Sequence, residues 1–121
     1  MLPANLSVSL ITTANTAGTL TIPAVAGMRH YITHIDITRI NGTAAAVAGT
    51  ALLSVTTTNL SGSPAYSSGN ALAVGESKVD YVADFSHPLI SNTANTNTTI
   101  VSPAGGLGIQ YRINVSYYLG V

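Results

Sequence analysis

Leu107-Gly108-Ile109-Gln110-Tyr111-Arg112-Ile113-Asn114-Val115-Ser116-Tyr117-Tyr118 decides the fold. Leu107, Ile109, Tyr111, Ile113, Val115 and Tyr117 fall on one side of a period of two. Gly108, Gln110, Arg112, Asn114, Ser116 and Tyr118 fall on the other. A helix would scatter these residues around its circumference, whereas a strand sorts them into two faces. The segment is therefore predicted as a long strand with one buried and one wetter face.

The same period recurs upstream. In Glu76–Phe85, Val79, Tyr81, Ala83 and Phe85 point one way, while Glu76, Lys78, Asp80 and Asp84 point the other. Arg29–Ile40 is rich in β-branched residues. It carries Tyr31, Ile35 and Ile37 on one face and Ile32 and Ile40 on the other, so it is predicted as a strand covered on both sides. Thr50–Thr58 is a further strand, with Ala51, Leu53 and Val55 on one face. Shorter candidates are Leu6–Ile11, Thr19–Ile22, Ala71–Val74 and Thr98–Val101.

Turn chemistry separates these segments. Asn15-Thr16-Ala17-Gly18, the stretch from Pro23 to Gly27 and the dipeptide Asn41-Gly42 are breaks. Asn59–Asn70, with Gly62, Pro64 and Gly69, reads as a long loop, as do Ser91–Asn97 and Ser102–Gly106. Ala44–Ala51 reads as a loop or irregular edge, and no segment sustains a helical period. In Phe85-Ser86-His87-Pro88, Phe85 is expected to anchor in the core and Pro88 to end the pairing. The expectation is all-β: a single-domain antiparallel β-sandwich, jelly-roll-like, of about eight strands. Residues 1–6 are expected as an N-terminal arm and 7–121 as the sandwich.

The chain has 121 residues, 46% of them apolar, enough for one domain with a real core. Only 7% are charged, against about 25% in ordinary soluble domains. Four basic and four acidic residues cancel. Without a basic surplus, binding to nucleic acid by counterion release is not expected. No apolar run reaches membrane-span length, and no basic n-region marks a secretory leader. With no cysteine, disulfides and cysteine-zinc sites are excluded. Ser, Thr and Asn supply 12, 16 and 9 residues. A neutral surface of such residues suits a chain packed against neighbours, and a secreted or extracellular β-domain with an uncharged polar face is the alternative.

Candidate chemistry is sparse. His30 and His34 are expected about 13 Å apart along a strand, too far to share one zinc within a chain, with a site built from several copies at a symmetry axis as the alternative. Asp84, Ser86 and His87 are too close in sequence for a usual catalytic triad, and no Gly-x-Ser-x-Gly elbow is present. Glu76, Asp80, Asp84 and Asp36 are the only carboxylates for acid–base work, and Lys78 sits among three of them. The Gly105-Gly106-Leu107-Gly108 stretch lacks the residues of a phosphate loop. Asn-x-Ser/Thr sequons occur at Asn5, Asn41, Asn59, Asn97 and Asn114, but glycosylation is not expected without a leader. No catalytic residue, cofactor or metal is assigned.

Ala26-Gly27-Met28-Arg29-His30-Tyr31-Ile32-Thr33, the run Phe85-Ser86-His87-Pro88-Leu89-Ile90-Ser91-Asn92-Thr93-Ala94-Asn95 and the closing strand Ile109–Tyr118 are three stretches that resemble small phage virion proteins with a β-sandwich fold. The resemblance spans Pro23 to the C-terminus, more weakly between Gly42 and Val74. It implies a non-enzymatic structural protein on the virion exterior, a capsid decoration (cement) protein or a fibre component, often a trimer. The implied partners are further copies of the chain and the major capsid protein, with no nucleic acid or membrane. Synthesis would take place in the host cytoplasm. A receptor- or carbohydrate-binding fibre head using Asn59–Asn70, Ser91–Asn97 and Tyr66 is the alternative.

The charges ride on predicted strands, and residues 1–28, 40–75 and 85–111 carry none. They are expected to pair within a sheet or across a subunit boundary. The expected oligomer or capsid contacts are Leu2, Leu6, Tyr66, Arg29, Arg39, Lys78, Asp80, Arg112 and Tyr118.

Overall fold

A computed structural model describes residues 4–41, 51–61, 65–68, 72–106 and 108–121, and every regular element among them is a strand. The strands are β1 (Leu6–Ile11), β2 (Gly18–Ile22), β3 (Arg29–Asn41), β4 (Ala51–Ser54), β5 (Thr56–Thr58), β6 (Ala65–Ser68), β7 (Ser77–Ile90), β8 (Thr98–Ser102) and β9 (Ile109–Gly120). One sheet has the order β1-β9-β3-β7 and a second the order β2-β8-β5, all antiparallel; β4 and β6 form a separate ladder. No neighbours within the two larger sheets are consecutive in the chain. The steps β1 to β2, β2 to β3, β7 to β8 and β8 to β9 each cross from one sheet to the other. This is a jelly-roll-like sandwich, the expected class.

The alternation in β9 is realised as read. Ile109, Tyr111, Ile113, Val115 and Tyr117 are buried, and Arg112 is exposed. Leu20 and Ile22 of β2 and Ile100 of β8 meet them from the second sheet. Each such side chain contributes about 1.5–3 kcal/mol on leaving water.

The central strand β3 is not covered on both sides. Tyr117 and Ser116 are adjacent on β9, yet they pair with Ile32 and His34, leaving Thr33 as an extra residue. This bulge shifts the phase by one. His30 and Ile32 before it, and Ile35, Ile37, Arg39 and Asn41 after it, all enter the same interior. The apparent two-faced pattern is one buried face interrupted by a single residue.

Other expectations also change. Thr50–Thr58 divides at the fully buried Val55 into β4 and β5, which join different ladders. The long loop Asn59–Asn70 contains β6. Of the expected strand Ala71–Val74, Ala71 lies outside the described residues and residues 72–74 form no strand: Leu72 makes an isolated bridge, and a turn follows at Gly75 (φ 84°). The Gly75 N–H donates to the Asn41 carbonyl at 2.7 Å, and Asn41 Nδ2 donates to the Leu72 carbonyl at 2.8 Å. Together they lash the end of β3 to the start of β7. The Ala44–Ala51 reading falls, except for Ala51, outside the described residues, as do Gly42 and Leu107. Pro88 does not end the pairing. Leu89 and Ile90 rejoin β3, and Phe85–Pro88 stand opposite Thr33 as a wide bulge on an edge strand, where proline is tolerated.

A second bulge in β7 changes the reading of the charges. Ile37 pairs with Tyr81 and Thr38 with Val79, so Asp80 is supernumerary. Its side chain turns inward and is fully buried, 3.0 Å from Nε of Arg39, itself 3% exposed. Arg39 and Asp80 are therefore not available contact residues, contrary to the sequence expectation; they pair inside the sandwich. The pair is misaligned as a hydrogen bond. Both Asp80 oxygens and Nε and Nη2 of Arg39 lack hydrogen-bond partners among the described residues. Burial pushes the Asp80 carboxyl above its ordinary range, against the pull of the Arg39 and Lys78 charges. Desolvation thus outweighs attraction, as is common for buried pairs.

Arg39→Leu should strand a buried carboxylate and lower the unfolding free energy by about 3–5 kcal/mol. The double variant Arg39→Leu/Asp80→Leu should recover most or all of that loss. Urea unfolding of both checks this; a double variant as unstable as the single would refute the account.

Candidate functional site

The outer face of the four-stranded sheet is the candidate site. Strand alternation and the two bulges set which side chains reach it. Read across β1, β9, β3 and β7, one row holds Ile11, Arg112, Thr38 and Val79. The next holds Ser9, Asn114, Asp36 and Val82, and the next Ser7, Ser116, His34 and Asp84. Tyr118, Tyr31 and Ile90 form the row beyond. Ile11, Val79, Val82 and Ile90 are 57%, 54%, 56% and 49% exposed. None of these outer positions is buried by a described residue.

Tyr31 and Tyr118 stack with centroids 5.0 Å apart. Gly120 admits this arrangement, since a Cβ there would lie 2.6 Å from the Tyr31 ring. The Tyr31 hydroxyl donates to the Val121 carbonyl at 2.9 Å.

At the centre of the face His34 bridges two carboxylates. Its Nδ1 lies 2.6 Å from Asp84 Oδ1, and its Nε2 lies 2.8 Å from Asp36 Oδ2. Asn114 Nδ2 donates to the other Asp36 oxygen at 2.9 Å. A neutral imidazole has one N–H, so donating to both acids requires the cation. The hydrogen bond to Asp84, then that to Asp36, raises the His34 pKa above its ordinary value, with burial opposing. The two nitrogens face different carboxylates, so the three groups do not converge as ligands would. Among the described residues no His, Asp and Glu cluster is arranged to hold a metal.

His30, four residues earlier, lies on the opposite face because of the Thr33 bulge. It is 1% exposed. Its Nε2 donates to the Pro23 carbonyl at 2.8 Å, which leaves Nδ1 to accept from the Thr98 hydroxyl at 2.7 Å. The Asp84, Ser86 and His87 set is not assembled, because Asp84 is engaged with His34. Ser86 Oγ is 3.4 Å from His87 Nδ1.

The remaining expected contact residues are dispersed. Lys78 and Arg112 are exposed. Arg29 is half-buried, and its Nη1 donates to the Ser91 carbonyl at 3.3 Å. Leu6 is 38% exposed and is already the first residue of β1, opposite Tyr117. Leu2 lies outside the described residues. Tyr66 belongs to β6, opposite Leu53, rather than to a loop. Several sequon asparagines are engaged internally. Asn41 is fully buried. The Asn59 amide spans Thr93, Thr96 and Thr98, and Asn97 Oδ1 accepts from the Ala24 N–H at 2.7 Å.

Sequence reasoning missed the His34 cluster. His34 and Asp36 at i and i+2 share a strand face, which was the available signal. Asp84 joins them only through a register that the Phe85–Pro88 bulge displaces. A scan against protein-family models and a search of curated proteins find no match.

Folding raises the affinity of His34 for its proton. The resulting stabilisation is therefore fully present below pH 6.5, the ordinary imidazole value, and is lost as pH rises through the higher folded value. His34→Gln should lower Tm most at acidic pH, with the gap to wild type narrowing as the solution becomes alkaline. Thermal scans across pH test this; a constant gap would assign the effect to packing.

Proposed function

We propose that this chain is a structural virion protein, a phage capsid decoration protein that self-associates and binds the major capsid shell from outside. The observation that carries the reading is the open outer face, with Ile11, Val79, Val82 and Ile90 near half exposure and the stacked Tyr31–Tyr118 pair beside them. An uncovered sheet face of this kind is a place for a protein neighbour. The charge distribution supports the same reading. The buried pair removes two of the eight charged side chains from the surface, and Glu76 is the one charged residue that lies between strands. Contacts made by Ser, Thr, Asn and apolar groups depend little on salt. The resemblance to small virion sandwich proteins points the same way and implies a homotrimer. Under this reading the protein is not an enzyme and works without a cofactor.

The shell contact is assigned to residues 1–5, which precede β1, together with neutral loops. Deleting residues 1–5 should release the protein from purified particles while its Tm stays close to wild type. Gold labelling in the electron microscope should place the intact protein over the capsid. Labelling confined to tails or fibres, or tight binding on a glycan array, would favour the receptor-binding alternative instead.

A further inference from the structure

We propose that the outer face of the β1-β9-β3-β7 sheet joins two copies of this chain face to face about a two-fold axis parallel to the strands. The inference deepens the self-association just proposed and rests on it, with a pair in place of the threefold arrangement. Its argument is the distribution of charge and apolar surface across the face.

The two halves of the face carry opposite signs. The β3–β7 half carries Asp36 and Asp84 against the single cation of His34, a surplus of one negative charge. The β9 half carries Arg112, exposed and without a hydrogen bond or ion pair among the described residues. A two-fold axis along the strands exchanges the halves. It lays β9 over β3 of the other copy and β1 over β7. Arg112 of one copy then lies over Thr38 of the other, beside Asp36, and the surplus charge is matched. Opposite signs on the two halves make the face self-complementary under a two-fold axis, as an isologous interface requires.

The apolar groups follow the same exchange. Ile11 lies on one edge of the face, and Val79 and Val82 lie on the other. The axis brings Ile11 of one copy toward Val79 of the other, and the Tyr31–Tyr118 stack toward its equivalent. Two sheets packed this way stay roughly aligned, about 10 Å apart. With strands about 4.8 Å apart and about 3.4 Å per residue, the face measures roughly 20 by 33 Å. Covering it on two copies removes on the order of 1,300 Å², inside the range of specific interfaces.

The full chain tests this directly. Wild-type protein should sediment as a dimer, and Val82→Arg, at a side chain already open to solvent, should sediment as a monomer with an unchanged circular dichroism spectrum. Arg112→Glu should raise the dimer dissociation constant at least tenfold. Because the chain has no cysteine, an Ile11→Cys copy can be mixed with a Val79→Cys copy and treated with a short bismaleimide. The mixture should give a crosslinked heterodimer, whereas Ile11→Cys alone should give none. A wild-type trimer that Val82→Arg leaves intact would overturn the two-fold face while leaving the decoration reading in place. A wild-type monomer at micromolar concentration would overturn both the pairing and the self-association on which it rests. A dimer without the Ile11–Val79 crosslink would overturn the axis proposed.

Discussion

One inserted residue governs this sandwich. Thr33 interrupts the central strand of the larger sheet, and the chain on either side is out of phase by one position. Without the shift, a strand with Ile32 inside would turn Ile35 and Ile37 outward. With it, all three fill the interior between the sheets, and His30 joins them with both ring nitrogens occupied. The same shift sends His34 and Asp36 outward, where they meet Asp84. Core and candidate site are thus two results of a single local irregularity.

The legible parts of the sequence were those where the period runs unbroken. Leu6–Ile11, Thr19–Ile22, Thr98–Val101 and the strand through Tyr111 emerge close to their expected bounds, because each side chain's face follows from its parity. The illegible parts are bulges. Parity cannot reveal an inserted residue from one strand alone; the register of its partner is needed. Hence Ile32 and Ile35 read as opposite faces, and Asp80 read as sharing a face with Glu76, Lys78 and Asp84. Thr50–Thr58 failed for a different reason. Its apolar alternation continues through Val55, but the chain changes ladders there, a long-range choice that no local pattern records.

The few charges divide by position into two chemistries. Asp80 is forced inside by its bulge, and its attraction to Arg39 does not offset the lost hydration. Such a pair selects a register more than it stabilises one, since any slip that parted the two would strand a charge in the core. Asp84, four residues later on the same strand, stays 82% exposed and holds a proton on His34 instead. The outer cluster is wet enough to titrate and ordered enough, through Asn114, to keep its geometry.

The irregular course of β7 also has a bearing on how the protein behaves when concentrated. As an outer strand of its sheet it offers main-chain groups that a foreign strand can continue, a template for edge-to-edge aggregation. The bulge at Asp80, the wide excursion of Phe85–Pro88 and the missing N–H of Pro88 break that row into short, mismatched lengths. Growth by adding strands at this rim is thereby frustrated.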